Sequence, residues 1–430
     1  MVAAPVSAPG AAMAWAEALR DALPLAQGSL APVRERGRRG LAERPMPGRR
    51  QESWRFTDLA ALLALDPGSL GHPPAIPASA SPAAPALMPA PEAGILQLRL
   101  DGSGDPLAGV ALPEGLTILE GVELEQALGQ CLEASGCRDH WPVLLNKASA
   151  ERVLALRVRG AVQPTLELVS DAGEGPGLLP LRVLLLLDEQ ASLSLLQVHR
   201  SSGANLTSVV VEAHLGRAAR LQHGVLATGA EGSVLLAHVA ALQEPGSELS
   251  LATATAGWEL ARLEPRIHQA GGAARSRLRG LQMVRVRQLA DTHSLVHFAG
   301  PEGSLDQLHK VVADGAARSV FNGAVRVPRE AQRTDAAQLS RSLLLSDRAR
   351  VDTKPELEIV ADDVRCAHGA TVSRLQQDEL FYLQSRGIAA VQAARLLLRG
   401  YCEEVLRDLP PAAARWQPLS ALLGEPTVVR

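Results

Sequence analysis

Lysine is nearly absent from this 430-residue chain: Lys147, Lys310 and Lys354 stand alone, and every other permanently cationic side chain is Arg. Arg favours bidentate contacts, but a bias this uniform, beside abundant Ala, Leu and Pro, reads as codon composition and carries no functional conclusion. Aromatic residues make up 3% and the formal net charge is −3. Both the basic field and the stacking rings of a nucleic-acid-binding surface are therefore missing. Four cysteines, Cys131, Cys137, Cys366 and Cys402, are too few for a disulfide framework and point to a reducing compartment. No apolar run approaches the roughly 20 residues of a membrane helix. The opening MVAAPVSAPG has no basic segment followed by an apolar one, so it does not read as a secretory signal. Cytoplasmic location, without membrane or nucleic acid, is the expectation. No GxxxxGK[ST], no GxGxxG after a strand and no GxSxG occur, which counts against the commoner enzyme classes; the chain is expected not to be an enzyme.

What is present divides the chain. Residues 11–23 and 51–65 read as helical, with an Arg-rich segment between them, and form an N-terminal helical domain over 1–66. Prolines then recur every few residues over 67–92; proline neither extends a helix nor sits in a central strand, so this is a linker. From 93 to 375 the texture is short runs rich in Val and Leu, punctuated by Gly, Pro, Asp and Ser, many alternating apolar and polar residues as in ALRVRG and SLSLLQVH. One helical interlude falls near 123–134. Some 220 residues of strand without blade repeats, with few Asn-Gly or Asp-Gly hairpin signals, lean towards a parallel β-helix over a sandwich pair or a propeller. Helical period returns over 378–387, where Gly387 is a stop signal, then 389–409 and 412–423, giving a C-terminal helical domain over 376–430. The fold class is mainly β, a parallel β-helix core between terminal helical domains.

The segment VDTKPELEIVADDVRCAHGATV, 351–372, is the most informative. If the chain is extended after Asp363, Cys366 and His368 project to one face, a soft-ligand pairing for iron or zinc. The bland alternative is a small buried thiol and a hydrogen-bonded imidazole. Two ligands are half a metal site at most, and a cluster normally takes four thiolates. Cys131, Cys137 and Cys402 lie in other elements, so a second chain would have to complete any site. Asp291, His293 and His297 would share a strand face, as cross-strand partners more often than as a catalytic pair; His309-Lys310 is a further polar pair.

These motifs together resemble the SufB/SufD family of iron–sulfur assembly scaffolds, and within it the SufD branch. The resemblance is carried by ESWRFTDL at 52–59, DTH at 291–293, FNG at 321–323, QRTDAAQ at 332–338, LLLS at 343–346, DTKPELEI at 352–359, ADDVRCAHGAT at 361–371 and FYLQSRGI at 381–388. Residues 100–290 match mainly in texture. CAHGAT, with Gly369, has the SufD form, and LSDRARV at 345–351 lacks the thiol that SufB proteins carry there. Ser340, where the family more often has Asn, and Leu308 before His309-Lys310 are departures. The resemblance implies a right-handed parallel β-helix, a SufB-like partner joined through it, and an ABC-type ATPase, SufC, docked by the C-terminal helices at Phe381, Tyr382, Leu383, Arg386, Gly387 and Ile388. It implies a transient iron–sulfur cluster at the shared interface, with His368 as ligand, Cys366 as a lesser one, and a sulfur donor reaching the complex. Asp362 or Asp363 would orient the imidazole from behind. No cofactor is expected to stay on the chain alone; a flavin in the complex is left open. Two other functions compete. One is a purely structural β-helix interaction module. The other is an extracellular β-helix enzyme on polysaccharide, which needs paired carboxylates and aromatic platforms.

Overall fold

The computed structural model describes residues 9–28, 30–74, 88–90, 92–101 and 104–424. Three helices come first: α1 (Pro9–Ala22), α2 (Ala31–Glu43) and the single turn α3 (Ala60–Leu63). Strands β1 (Ile95–Arg99) and β2 (Leu116–Ile118) precede α4 (Gly121–Ala127), α5 (Gln130–Ala134) and α6 (Trp141–Ser149). Then follow β3 (Leu154–Val158), β4 (Thr165–Asp171), β5 (Leu178–Leu187), β6 (Ser192–Arg200), β7 (Leu206–Leu215) and β8 (Arg220–Thr228). The run continues through β9 (Val234–Gln243), β10 (Glu248–Ala256), β11 (Leu260–Gln269), β12 (Arg275–Val284) and β13 (Leu289–Phe298). It ends with β14 (Ser304–Ala313), β15 (Arg318–Val327), β16 (Asp335–Leu344), β17 (Arg350–Ile359) and β18 (Arg365–Ser373). Helices α7 (Gln377–Ser385), α8 (Ala390–Leu406) and α9 (Pro418–Leu423) follow.

Successive strands alternate between two nine-stranded sheets. Sheet A runs from β1 through the even strands β4 to β18; sheet B runs from β2 through the odd strands β3 to β17. Every pairing is parallel except β2 with β3. This is the parallel β-solenoid that the sequence texture predicts. One alternate set of side chains fills the space between the sheets, including Leu195, Leu251, Ile267, Phe298 and Val311. The outer face of sheet A is covered by Cys402, Val405, Leu406 and Leu409 of the C-terminal helical region. The outer face of sheet B is covered by the N-terminal helices and α6. Strands buried on both faces read as nearly continuous apolar runs, which explains stretches such as LRVLLLL.

The solenoid corners are what the sequence conceals. Gln190, Ala218, Gly246, Ala273, Glu302 and Arg333 take positive φ at equivalent corners, and only one of them is glycine. Each amide at this corner bonds a carbonyl of the next coil, as Ala218 N–H does to Pro245 O at 3.0 Å and Ala273 N–H to Pro301 O at 2.9 Å. Coil-to-coil hydrogen bonding overrides the ordinary residue preference for left-handed backbone.

Three local expectations change. The helix expected over 51–65 is a 3-10 turn, Glu52–Trp54, an irregular link and α3, because Trp54 and Thr57 are drawn onto sheet B. The Arg-rich segment is itself helical, as α2. Its glycines are there for close approach: a Cβ on Gly37 would lie 2.5 Å from Ala148 N of α6. The interlude near 123–134 is two short helices broken at Gly129, whose φ is +97°. Residues 75–87 and 91 of the expected 67–92 linker lie outside the described residues; in its described first part His72 O accepts from Leu178 N–H at 2.9 Å.

Candidate functional site

Sheet A ends at β18 and sheet B at β17, and neither strand has a further neighbour among the described residues. Interior columns that are buried everywhere else therefore open to solvent here. The pairing of β16 with β18 sets Ala336 beside Cys366, Gln338 beside His368, Ser340 beside Ala370 and Ser342 beside Val372. Ala336, Gln338, Ser340 and Ser342 are buried. Cys366 and His368 occupy the same columns one coil later, with Cys366 half-buried and His368 exposed. The two side chains do share a face, and it is the face that continues the solenoid interior.

The floor beneath them is polar. Gln338 Nε2 donates to Gln307 Oε1 at 2.9 Å, and Gln307 Nε2 donates to Ser294 Oγ at 2.8 Å. Gly323 makes room for this chain: a Cβ there would sit 2.1 Å from Gln338 Nε2. Gln338 Oε1, Ser340 Oγ, Ser342 Oγ and Thr353 Oγ1 are buried without a hydrogen-bond partner. Burial, with the nearby Asp335 carboxylate, pushes the Cys366 thiol above its ordinary value, so it is protonated at neutral pH. Asp362 and Asp363 are exposed in the turn before β18. The backbone of that turn is held by Asp363 N–H donating to Gln332 Oε1 at 3.0 Å. Among the described residues no hydrogen bond joins either carboxylate to His368, so the structure does not bring these four residues into one cluster.

Around this end the large apolar side chains Ile359, Val360 and Val372 are exposed, Val360 by 65%. A second exposed set lies on α7 and α8: Phe381 (73%), Tyr382, Val391 and Leu396. No residue of α7 is buried. Its end is built as the sequence predicts: Gly387 N–H bonds Gln384 O at 2.9 Å and Ile388 N–H bonds Leu383 O at 3.2 Å, with Gly387 at φ +84°. Arg386 lies over the Tyr382 ring, 5.3 Å from its centroid.

The other motif residues have structural work. Arg262 of β11 is fully buried, and its guanidinium collects Glu264 (2.8 Å), Thr57 (2.9 Å), Asp291 and the Ser53 carbonyl (3.0 Å) while lying 3.8 Å from the Trp54 ring centroid. ESWRFTDL and DTH are thus two halves of one clasp that pins the N-terminal segment to sheet B. His293 lies 3.1 Å from Asp291. His309 faces inward and stacks on Phe321 at 4.3 Å, whereas Lys310 faces outward, bonds Tyr401 O at 2.8 Å and pairs with Glu404 of α8. Leu308, next to it, packs under the C-terminal helices. Sequence reasoning missed Arg262, since a single Arg in a strand carries no signal. It also missed the polar floor, although Gln338 closes the QRTDAAQ motif. Cys131, Cys137 and Cys402 are buried thiols away from the open end, with Cys137 raised by burial to about 11 and Cys402 to about 12.

Fold and site together define a β-solenoid scaffold with an unfinished end that carries a thiol and an imidazole. Residues 169–401 match the family model described as SUF system FeS cluster assembly, SufBD core domain. The chain is 31% identical over 402 residues, 86% of its own length and 85% of the relative's, to an iron–sulfur cluster assembly SufBD family protein of Synechocystis sp.. It is 36% identical over 146 residues, 34% of each chain, to the iron–sulfur cluster assembly protein SufD of Escherichia coli. With SufD of Bacillus subtilis it shares 37% identity over 131 residues, 30% of each chain. This protein belongs to the SufB/SufD family of the SUF iron–sulfur cluster assembly system. Among the described residues no helix is long and apolar enough to cross a membrane.

Proposed function

We propose that this chain is the SufD-type subunit of a cytoplasmic SUF scaffold, which pairs through the open end of its solenoid with a SufB-like paralogue. The observation that carries this reading is the unpaired edge of β17 and β18, with Ile359, Val360 and Val372 exposed around it. An open sheet edge is a template for a second chain, and exposed apolar area at that edge supports the same use. The nascent iron–sulfur cluster is cargo at that interface. His368 is this chain's main ligand or proton carrier, because it is exposed on the interior-facing column. Cys366 contributes less, its thiol being protonated by burial. Two ligands leave the cluster to be completed by the partner, so the chain alone holds no stable cluster, and it serves as a scaffold and not as an enzyme.

The exposed face of α7 and the start of α8, with Phe381, Tyr382, Leu383, Arg386, Gly387 and Ile388, docks a SufC-like ABC ATPase. The support is apolar area that stays exposed among the described residues. The test is anaerobic reconstitution of the chain alone and of the pair, read by visible absorption and by iron and sulfide quantitation. A cluster on the pair that is lost in His368→Ala is expected; a stoichiometric cluster on the lone chain would overturn the shared site. A pair that forms, and assembles clusters at the wild-type rate with His368→Ala, would leave a purely structural module.

A further inference from the structure

The outer face of sheet B holds a second constellation that the reading above leaves unused. His140, the residue at the start of α6, reaches down onto β9 and β11. Its Nδ1 lies 3.1 Å from Glu264 Oε2 and 3.4 Å from His238 Nε2, and His238 Nε2 lies 3.3 Å from the same carboxylate oxygen. Four-coordinate divalent transition metals bind nitrogen and oxygen at about 2.0–2.1 Å, which sets ligand-to-ligand edges of about 3.3–3.4 Å. The triangle of donor atoms already has nearly the size of one face of that tetrahedron.

We propose that His140, His238 and Glu264 form a binding site for a four-coordinate divalent transition metal such as Zn²⁺, with the fourth position open to water. Imidazole and carboxylate are a donor set that suits a borderline-soft cation. Glu264 is enclosed by Arg262 and Arg266 and presents Oε2 to both imidazoles. His238 Nδ1 has no hydrogen-bond partner and can carry the ring proton, which frees the lone pair on Nε2. The His140 side chain is 32% exposed and gives an entry path.

Two arginines compete for the carboxylate. Arg262 Nε holds Oε1 at 2.8 Å and is itself balanced by Asp291. Arg266 Nη2 holds Oε2, the metal-side oxygen, at 2.7 Å, and its Nε has no partner. Metal entry therefore exchanges one cation for another: Arg266 releases Oε2 and the divalent ion takes its place. The bound ion would tie the start of α6 to two adjacent solenoid strands.

The experiment uses the full chain carrying Cys366→Ala and His368→Ala, so that the open end contributes no ligands. After chelator treatment it is titrated with Co²⁺, then with Zn²⁺ as competitor. One equivalent with the strong visible bands of four-coordinate Co²⁺ is expected. His140→Ala, a change at the exposed mouth that leaves the fold intact by circular dichroism, should weaken binding by more than about tenfold. Arg266→Gln should strengthen it, because the competing cation is gone. Absence of the bands, or affinity unchanged by His140→Ala, would overturn the site. Weaker or equal binding in Arg266→Gln would overturn the exchange.

Discussion

Asp291→Ala is the sharpest probe of the clasp between the N-terminal segment and the solenoid. Asp291 is fully buried and accepts from both Thr57 Oγ1 and Arg262 Nη1. Removing it takes away one of the two carboxylates paired with Arg262, leaving Glu264, and deprives the Thr57 hydroxyl of its acceptor. Loss of one partner from a buried ion pair costs about 3–5 kcal/mol, mostly the penalty of the stranded charge. Replacing Arg262 and Asp291 together by Met and Leu removes that penalty, so the double variant should be markedly more stable than Asp291→Ala alone. The pH dependence has a definite sign. Burial raises the Asp291 carboxyl, but Arg262, His293 and Thr57 prevail and hold it below its unfolded value near 3.8. A depressed folded value means stability that is fully present above the unfolded value and lost as pH falls through the folded one. The gap between wild type and Asp291→Ala should therefore be complete at pH 6 and shrink below about pH 4. Urea unfolding followed by tryptophan fluorescence reads the stability, since Trp54 sits on Arg262. Limited proteolysis reads whether residues 9–60 come away. A loss under about 1 kcal/mol at neutral pH, or a gap that widens on acidification, would refute the reasoning.

Val286 is a β-branched residue at φ +59° and 70% exposed, so Val286→Gly should raise stability by about 1 kcal/mol in thermal unfolding. Lys310→Met removes the cation that Glu404 and the Tyr401 carbonyl share and should loosen α8, raising its amide hydrogen exchange. Phe381→Ser with Tyr382→Ser should abolish capture of the SufC-like ATPase while the pairing with the SufB-like chain survives, as read in a pull-down; retained ATPase would place the docking surface elsewhere. Gly323→Ala should push the Gln338 amide off Gln307 and slow cluster assembly in the pair, though less than His368→Ala does.

Much of this protein is legible in the sequence. Runs rich in Val and Leu over more than 200 residues, with few hairpin signals, mark a strand-built core and lean towards a solenoid, because period-2 patterning is local and survives whatever surrounds it. The CAH spacing places Cys366 and His368 on one face, since a strand repeats every two residues whatever surrounds it. Gly387 ends its helix for the same local reason. What the tertiary structure alone decided is which of those faces meet. The clasp at Arg262 joins residues more than 200 positions apart, and no local pattern specifies such a contact. Five of the six equivalent corners hide behind Gln, Ala, Glu and Arg because hydrogen bonds to the next coil, and not residue preference, set their backbone. His368 and Gln338 stand in one column, yet one is exposed and the other buried. The difference is only that the stack of coils stops after β18.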